Sequence, residues 1–511
     1  MIFDPEDIAK WTGGAWHRLP LEAVRGFAID SRKISKGDCF VALRTDKRDG
    51  HLFLSDAAKN GAVAAIVEDV VDHELPQLVV AASEKGLQDC AAGYRNELTI
   101  PVIGISGSCG KTSTKDLLSR LLGEDITLWT EANLNNTLGV PLTILRIDEA
   151  VHRFAVIEAG ISRRGKMDTI VSILKPTHGI ITMLGTAHSE GLGGVEGIAE
   201  EKCKLLEATA SDGVVVFPAD CKDFEVFNQL NTASVLQIDR CDGNDDLALQ
   251  HRFRVEGKWP SLETEEDFCA RDTEIETRDI NIETDRDRDR VKKTRETDRD
   301  RMQKCGREQR TIIVELPAVP SFKSELPPMS DGMASNAALA IVVARILGIS
   351  AEKLSARLST WRPSPGRGEV VKYEDQVYYV DCYNANPSSM KDTIEFFQSQ
   401  WSGLPKLYVL GTMNELGDLF DAGHHEIGSI LSLSADDQAI FIGHGAEAFK
   451  RGALENSISS ERLNSYDQAD DASGLVNSFK GAILLKGSRS YALESLLPEN
   501  SPSMGGEAVA C

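Results

Sequence analysis

The chain has 511 residues, 41% of them apolar, and its 56 Lys and Arg against 79 Asp and Glu give a formal net charge of −23. That length allows about three or four domains, each with its own core. An acidic surface of this kind argues against nucleic acid or an anionic membrane as the main partner, although a local basic pocket for a small anion remains compatible with it.

Ten cysteines are scattered with no C-x-x-C pair, which predicts reduced thiols in a cytosolic protein, not a disulfide frame. The opening residues MIFDPEDIAKWTGGAW carry neither a basic nor an apolar leader segment, so no signal peptide is expected. No apolar run approaches the ~18 residues of a spanning helix, so no membrane insertion is expected.

Residues 1–98 alternate strand-like runs (CFVAL, AAIVEDVV) with the helix-like FLSDAAKNGA, which stops at glycine. A second unit, 99–362, opens at ELTIPVIGIS. Strand runs recur at FAVIEAG, HGIITMLG, GVVVFPAD and SVLQID, with helical stretches between several of them, which predicts a parallel α/β sheet. Residues 271–310 break the pattern with 13 basic and 12 acidic residues and no aromatics. The units ETRD, ETDRDRDR and ETDRDR look like a tandem expansion. Such a segment cannot bury enough surface to offset its ordering entropy and reads as a solvated, disordered insertion. The pattern resumes at RTIIVELPAVP, and the helix ASNAALAIVVARILG stops at Gly348. WRPSPGRGE reads as a linker into a third unit, 363–497, with strand runs VYYVDCYN, KLYVLGT, QAIFIGHG and GAILLKGS. Residues 498–511 read as a loose tail.

The densest chemistry lies in IGISGSCGKTSTK, residues 103–115. Gly107, Ser108, Cys109, Gly110, Lys111, Thr112 and Ser113 follow a strand and open a helix. Backbone N–H groups of such a turn converge on one point, and the helix N-terminus favours an anion. Lys111 would neutralise outer phosphates, and Thr112 would hold Mg²⁺. The full phosphate-loop pattern wants glycine where Ile105 stands, while Gly104 lies one residue earlier. Glu158 ends the strand FAVIEAG, where a metal-holding acid belongs beside a phosphate loop. Taken singly, Glu158 reads as an ordinary loop acid, His188 in LGTAHSEG as plain loop chemistry and Lys202 in IAEEKCKLLEA as a solvated helix lysine. DCYNANPSSM places Asp381, Asn384 and Asn386 after an apolar strand; an Asx-rich turn can read a ribose or a peptide, or only itself.

Together these stretches resemble the Mur ligase family, and within it the MurF type. The resemblance runs from about residue 25 to 495 apart from the charged insertion, through IDSRKISKGDCFVALRTDKRDGHLF, GISGSCGKTSTK, TEANLNNTLGVPLT, IEAGISRRGKMD, MLGTAHSEGLGGVEGIAEEK, SPGRGE, VDCYNANPSSM, VLGTMNELGD and LLKGSRS. DCYNANPSSM is the most discriminating of them. The resemblance implies an α/β fold of three domains: a UDP-sugar-binding domain, a central phosphate-loop ATPase domain and a C-terminal Rossmann-like domain. It implies ATP-dependent amide ligation in peptidoglycan precursor synthesis: the terminal carboxylate of UDP-N-acetylmuramoyl-tripeptide is phosphorylated, and D-alanyl-D-alanine attacks the acyl phosphate.

By the same resemblance, Thr112, Glu158, His188 and a carbamylated Lys202 would serve a site of two Mg²⁺ ions. Lys111 and Arg367 would face the phosphates, and Asn336 and Asp381 would complete the ATP site. Asn133, Asn135 and Asn136 would line the central cleft, Asn384 and Asn386 would meet the dipeptide, and Ser31 and Arg32 would belong to the uridine stretch. A cytoplasmic monomer is implied. The chain departs from the family pattern at SDGMASN, where Gly332 and Met333 replace the usual His and Asn near adenine. It also departs at Lys166 and Thr45, and Cys109 sits inside the loop. The alternatives are another Mur-like ligase (a MurE-type enzyme, or a folylpolyglutamate or cyanophycin synthetase relative), a nucleotide-dependent switch, or a non-catalytic nucleotide-binding relative.

Overall fold

The computed structural model describes residues 2–185, 189–232, 234–241, 250–257, 310–317, 319–401 and 403–498. The charged stretch 271–310, apart from Arg310, and the tail 498–511, apart from Pro498, lie outside the described residues. Three main sheets account for the architecture, which is a three-domain α/β fold.

The first sheet has five strands in the spatial order Ala15–Trp16, Gln77–Val79, Ala64–Val67, Asp38–Val41, Gly26–Ala28. The four strands from Gln77–Val79 to Gly26–Ala28 run parallel, and Ala15–Trp16 joins one edge antiparallel. The runs CFVAL and AAIVEDVV supply its fully buried strands, as continuous apolar runs in a parallel sheet should.

The second sheet has nine strands and carries the phosphate loop. Thr127–Trp129, Phe154–Glu158, Val102–Ser106, His178–Ile181, Val214–Pro218 and Ser234–Cys241 lie side by side and parallel. The sheet is not parallel throughout. Gln250–Gly257 pairs antiparallel with Ser234–Cys241, and Phe322–Leu326 closes the far edge antiparallel to Arg310–Glu315. Helix Asp331–Ile346 crosses this half of the sheet and packs beside the helix Lys111–Leu122. It is apolar almost all round, with buried residues on every face from Ala334 to Ile346, as expected of a helix enclosed by a sheet and a neighbour. Ser330 caps it by accepting from the Met333 N–H.

The third sheet has six strands in the order Glu369–Tyr373, Gln376–Val380, Gly481–Lys486, Lys406–Gly411, Gln438–Ile442, Leu463–Tyr466. All neighbours are parallel except the first hairpin. Two apolar clusters, one on each face, bury Phe397, Tyr408 and Phe441 on one side and Tyr378, Leu407 and Ile483 on the other. This two-layered burial explains why four of its strands read as unbroken apolar runs.

Seven cysteines among the described residues are free thiols. Among the described residues no helix is long and apolar enough to cross a membrane.

Candidate active site

Strand Val102–Ser106 lies inside its sheet between Phe154–Glu158 and His178–Ile181, and the chain leaves its C-terminal end as the loop Gly107–Gly110 before helix Lys111–Leu122 begins. Open parallel sheets place ligands at this end of the strands. The loop is pinned: the Ser108 N–H donates to the Met183 carbonyl (2.8 Å), and the Ser108 hydroxyl donates to the Gly185 carbonyl (3.1 Å). Gly110 has φ +84°, and a Cβ there would lie 2.4–2.8 Å from the Asn336 amide. Replacing Gly110 by Ala combines a left-handed backbone with that clash. It is expected to cost about 1–3 kcal/mol and to weaken nucleotide binding, as read by denaturant melts and nucleotide titration.

The loop faces a cavity of about 590 Å³ between the second and third sheets. Ser108, Cys109, Gly110, Lys111, Thr112 and Ser113 line it from the loop side. Asn133, Asn135, Asn136 and Glu158 line it from neighbouring strand ends, Asn336 from the crossing helix, and Arg367, Asp381, Asn384 and Asn386 from the third domain. Gly107 lies just behind, and its carbonyl accepts from both the Lys111 amine (2.8 Å) and the Lys202 amine (3.0 Å). Lys202 is 1% exposed. Burial, and then the charge of Lys111, push its amine well below the usual lysine value. His188 lies outside the described residues. Ser31 and Arg32 sit apart from this cavity, on a short turn of the first domain. There Asp30 caps the turn and pairs with Arg32 at 2.8 Å. The Arg32 side chain holds the Asp30 carboxyl at about 2.

Glu158 is the best-organised acid of the site. It is 2% exposed. Its Oε2 accepts from the Thr112 hydroxyl (2.9 Å), its Oε1 accepts from the Asn135 amide (2.8 Å), and its own N–H donates to the Thr130 hydroxyl (2.9 Å). A buried carboxylate touching a hydroxyl at the foot of a phosphate loop is a hard-oxygen pair suited to Mg²⁺. Such an ion is usually completed by phosphate oxygens and water. Among the described residues no cluster of three or more His, Cys, Asp or Glu is placed to hold a metal by itself.

On the opposite wall, Asp381 accepts from the Thr393 hydroxyl (2.7 Å) and from Lys486 (2.8 Å) through Oδ2. Asn136 and Asn386 line the cavity but also serve the backbone. The Asn136 side chain accepts from the Leu138 and Gly139 N–H groups. Asn386 forms a reciprocal cap with Ser389 at the start of helix Pro387–Ser399. The Asn384 side chain accepts from the Ala385 N–H (2.9 Å).

Family models match three consecutive parts of the chain: the catalytic domain of the Mur ligase family over residues 23–112, the Mur ligase middle domain over 105–265, and the glutamate ligase domain of Mur ligases over 366–489. The chain belongs to the Mur ligase family. It is 28% identical to the UDP-N-acetylmuramoyl-tripeptide–D-alanyl-D-alanine ligase of Bacillus subtilis strain 168, with 93% of each chain covered. It is 26% identical to the ligase of the same name from Escherichia coli K12, covering 94% of this chain and 93% of that one. Its fold is similar to a crystal structure of MurF from Acinetobacter baumannii, with a TM-score of 0.76 at 25% identity, covering 97% of this chain and 98% of that one.

This Mur ligase also brings to the cavity residues that sequence reading did not single out. Tyr383 places its ring 4.0 Å below the guanidinium of the already expected Arg367, a cation–π contact that fixes the direction of that arginine. Lys486, 2% exposed, reaches Asp381 and the Asn384 carbonyl (3.1 Å). Asp392 accepts from the Gly332 N–H (2.9 Å) across the boundary between the second and third domains, and burial raises its carboxyl. A Cβ at Gly332 would lie 2.7 Å from that carboxylate. The glycine in SDGMASN therefore permits this contact. Lys486 and Tyr383 lay within LLKGSRS and DCYNANPSSM, so the signal was the motif and not the residue type.

Proposed function

We propose that this Mur ligase is an ADP-forming amide ligase that joins D-alanyl-D-alanine to UDP-N-acetylmuramoyl-tripeptide, acting as a cytoplasmic monomer in peptidoglycan precursor synthesis. The observation that carries the reading is the cavity itself. A phosphate loop with Lys111, Thr112 and Glu158 on one wall faces Arg367, Asp381 and Lys486 on the other. The names and full-length coverage of the relatives support the choice of substrates. We place the domain divisions at 1–98, 99–362 and 363–497, in step with the three sheets.

The first half-reaction brings a carboxylate to the γ-phosphate of ATP. Anion approaches anion, so the site must supply positive charge that is already in place. Lys111 and the loop N–H groups hold the phosphates, and Arg367 approaches from the other domain. Thr112 and Glu158 would hold Mg²⁺, which when bound neutralises phosphate charge. A second ion would draw on His188 and on a carbamylated Lys202. The reading for Lys202 has a chemical basis: only a neutral amine adds CO₂, and burial beside Lys111 favours the neutral form. The carbamate would also replace two crowded amines by a cation–anion pair. ADP leaves as the acyl phosphate forms. The amine of D-alanyl-D-alanine then adds to the acyl carbon, loses a proton and displaces phosphate, leaving the amide. Asn384 and Tyr383 stand at the wall where that amine would enter, Asp381 and Asn336 flank the nucleotide, and Asn133, Asn135 and Asn136 border the peptide side. Ser31 and Arg32, distant from the cavity, would serve the uridine end.

The test is direct. Purified protein is incubated with ATP, Mg²⁺, UDP-N-acetylmuramoyl-tripeptide and D-alanyl-D-alanine, and phosphate release and product mass are followed. Release that requires the dipeptide is the expected result. Release only when a single amino acid replaces the dipeptide would overturn the proposal.

A further inference from the structure

The phosphate-loop helix carries two charged residues, Lys115 and Asp116, that the reaction above does not use. Lys115 is 3% exposed, which is uncommon for lysine. Its amine pairs with the Asp116 Oδ1 (2.9 Å) and donates to the Thr130 carbonyl (2.7 Å). Thr130 is the residue whose hydroxyl accepts from the Glu158 N–H (2.9 Å). On its other oxygen, Asp116 accepts from the hydroxyl of Ser364, which lies 248 residues away in the linker SPGRGE. The Ser364 carbonyl accepts from the Arg367 N–H (3.1 Å), closing the turn that presents the Arg367 side chain. That turn is also held from the far side, where the Tyr383 N–H donates to the Gly366 carbonyl (3.1 Å).

We propose that Lys115, Asp116 and Ser364 are positioning residues that tie the linker turn of Arg367 and the strand end of Glu158 to one point on the phosphate-loop helix. The inference rests on the ligase reading for its consequence in turnover, but the tie itself is a matter of geometry. The guanidinium that meets the phosphates and the carboxylate that would hold their Mg²⁺ come from different domains. A buried ion pair costs desolvation and contributes little net stability, so its value here lies in fixing one arrangement. The junction is not packed solid. A cavity of about 340 Å³ opens beside Asp116, Arg120, Trp361 and Ser364, and Gly366 and Gly368 have φ +72° and +87°. Without the Ser364 bond, the turn has both the free volume and the backbone freedom to shift.

Two measurements test this. In steady-state ligation, Ser364→Ala and Asp116→Ala should each lower kcat about tenfold, with KM for all three substrates within about twofold, because the bound geometry and not substrate affinity is disturbed. The double variant should be no worse than either single one. Ser364→Thr, which keeps the hydroxyl, should restore kcat, and Ser364→Ala placed on Arg367→Ala should be silent. Independently of activity, limited trypsin digestion should cut after Arg367 several-fold faster in Ser364→Ala and Asp116→Ala than in the wild type or Ser364→Thr. Unchanged cleavage at Arg367 would overturn the tie. A kcat loss that persists in the Arg367→Ala background would overturn its route through Arg367. A wild-type protein that makes no product, yet shows the cleavage pattern, would sink the ligase reading and leave the tie standing.

Discussion

Lys202→Met is expected to lower ligation turnover by about 10²–10³, the usual cost of removing one charged group that serves the reacting centre, while making the protein harder to unfold. The two effects have one cause. Lys202 is buried behind the loop, and burial together with Lys111 disfavours its charged form. Among the described residues its amine donates to the Gly107 carbonyl, which also accepts from Lys111 at 2.8 Å. Met fills the same volume without a polar atom, and the Gly107 carbonyl keeps its remaining donor. The variant thus removes a desolvation cost of about 1–3 kcal/mol without leaving an orphan. In CO₂-free buffer, the melting temperature of Lys202→Met should exceed that of the wild type.

The pH dependence of that gap has a definite sign. The folded amine titrates below the unfolded one, so between the two values the unfolded state binds more protons. Wild-type stability then rises with pH across that window. The gap between Met variant and wild type is therefore widest below the folded value and closes as pH approaches the ordinary lysine value of 10.5. Added bicarbonate separates the carbamate reading from a plain amine. If Lys202 takes up CO₂, bicarbonate should raise the melting temperature of the wild type and leave Lys202→Met unmoved, by linkage. A short carboxylate should then partly rescue turnover in Lys202→Ala. A Met variant with wild-type turnover would remove Lys202 from the site.

Much of this site is legible without coordinates, for reasons visible in particular residues. Parallel strands buried on both faces give unbroken apolar runs, so FAVIEAG and GAILLKGS announce themselves, and G-K-T between a strand and a helix places the loop. The strand Gln250–Gly257 does not. It has one buried face, with Phe253 and Val255 inward and Arg254 and Glu256 outward. Its sequence QHRFRVEG therefore reads as polar connection, and the antiparallel half of the central sheet stays hidden. Pairings across domains are illegible for a different reason. Nothing local in SPGRGE points to Asp116, and nothing in DTIEFF marks Asp392 as the acceptor for Gly332. Each is a polar residue whose partner is set by how two domains dock. The same holds for the caps: Asn386 stands out in NANP as a candidate ligand, yet its side chain is committed to starting the following helix.

Lys486 is the sharpest case of a residue invisible in isolation, and its replacement carries the second large expectation. It ends a fully buried strand, and its amine bonds the Asp381 carboxylate 105 residues earlier and the Asn384 carbonyl. Lys486→Met removes a cation from a pair in which Lys486 is 2% exposed and leaves Asp381 with one remaining side-chain donor, Thr393. Breaking a pair of this kind costs about 3–5 kcal/mol when both groups are deeply buried. The Asp381 side chain is 22% exposed, so water recovers part of that, and a loss of about 2–3 kcal/mol is expected. The functional loss should follow the same geometry. Asp381 and Asn384 both line the cavity, and Lys486 holds the carboxylate of one and the backbone of the other. The variant should raise KM for ATP and for the dipeptide together, whereas Thr393→Val should disturb only the Asp381 side. Lys486→Arg keeps the charge but brings a longer, planar group into a space fitted to a single amine, and it should recover stability more than affinity. Chemical denaturation and initial-rate kinetics on the three variants separate these outcomes. Equal KM values in wild type and Lys486→Met would show that the pair supports the fold without shaping the site.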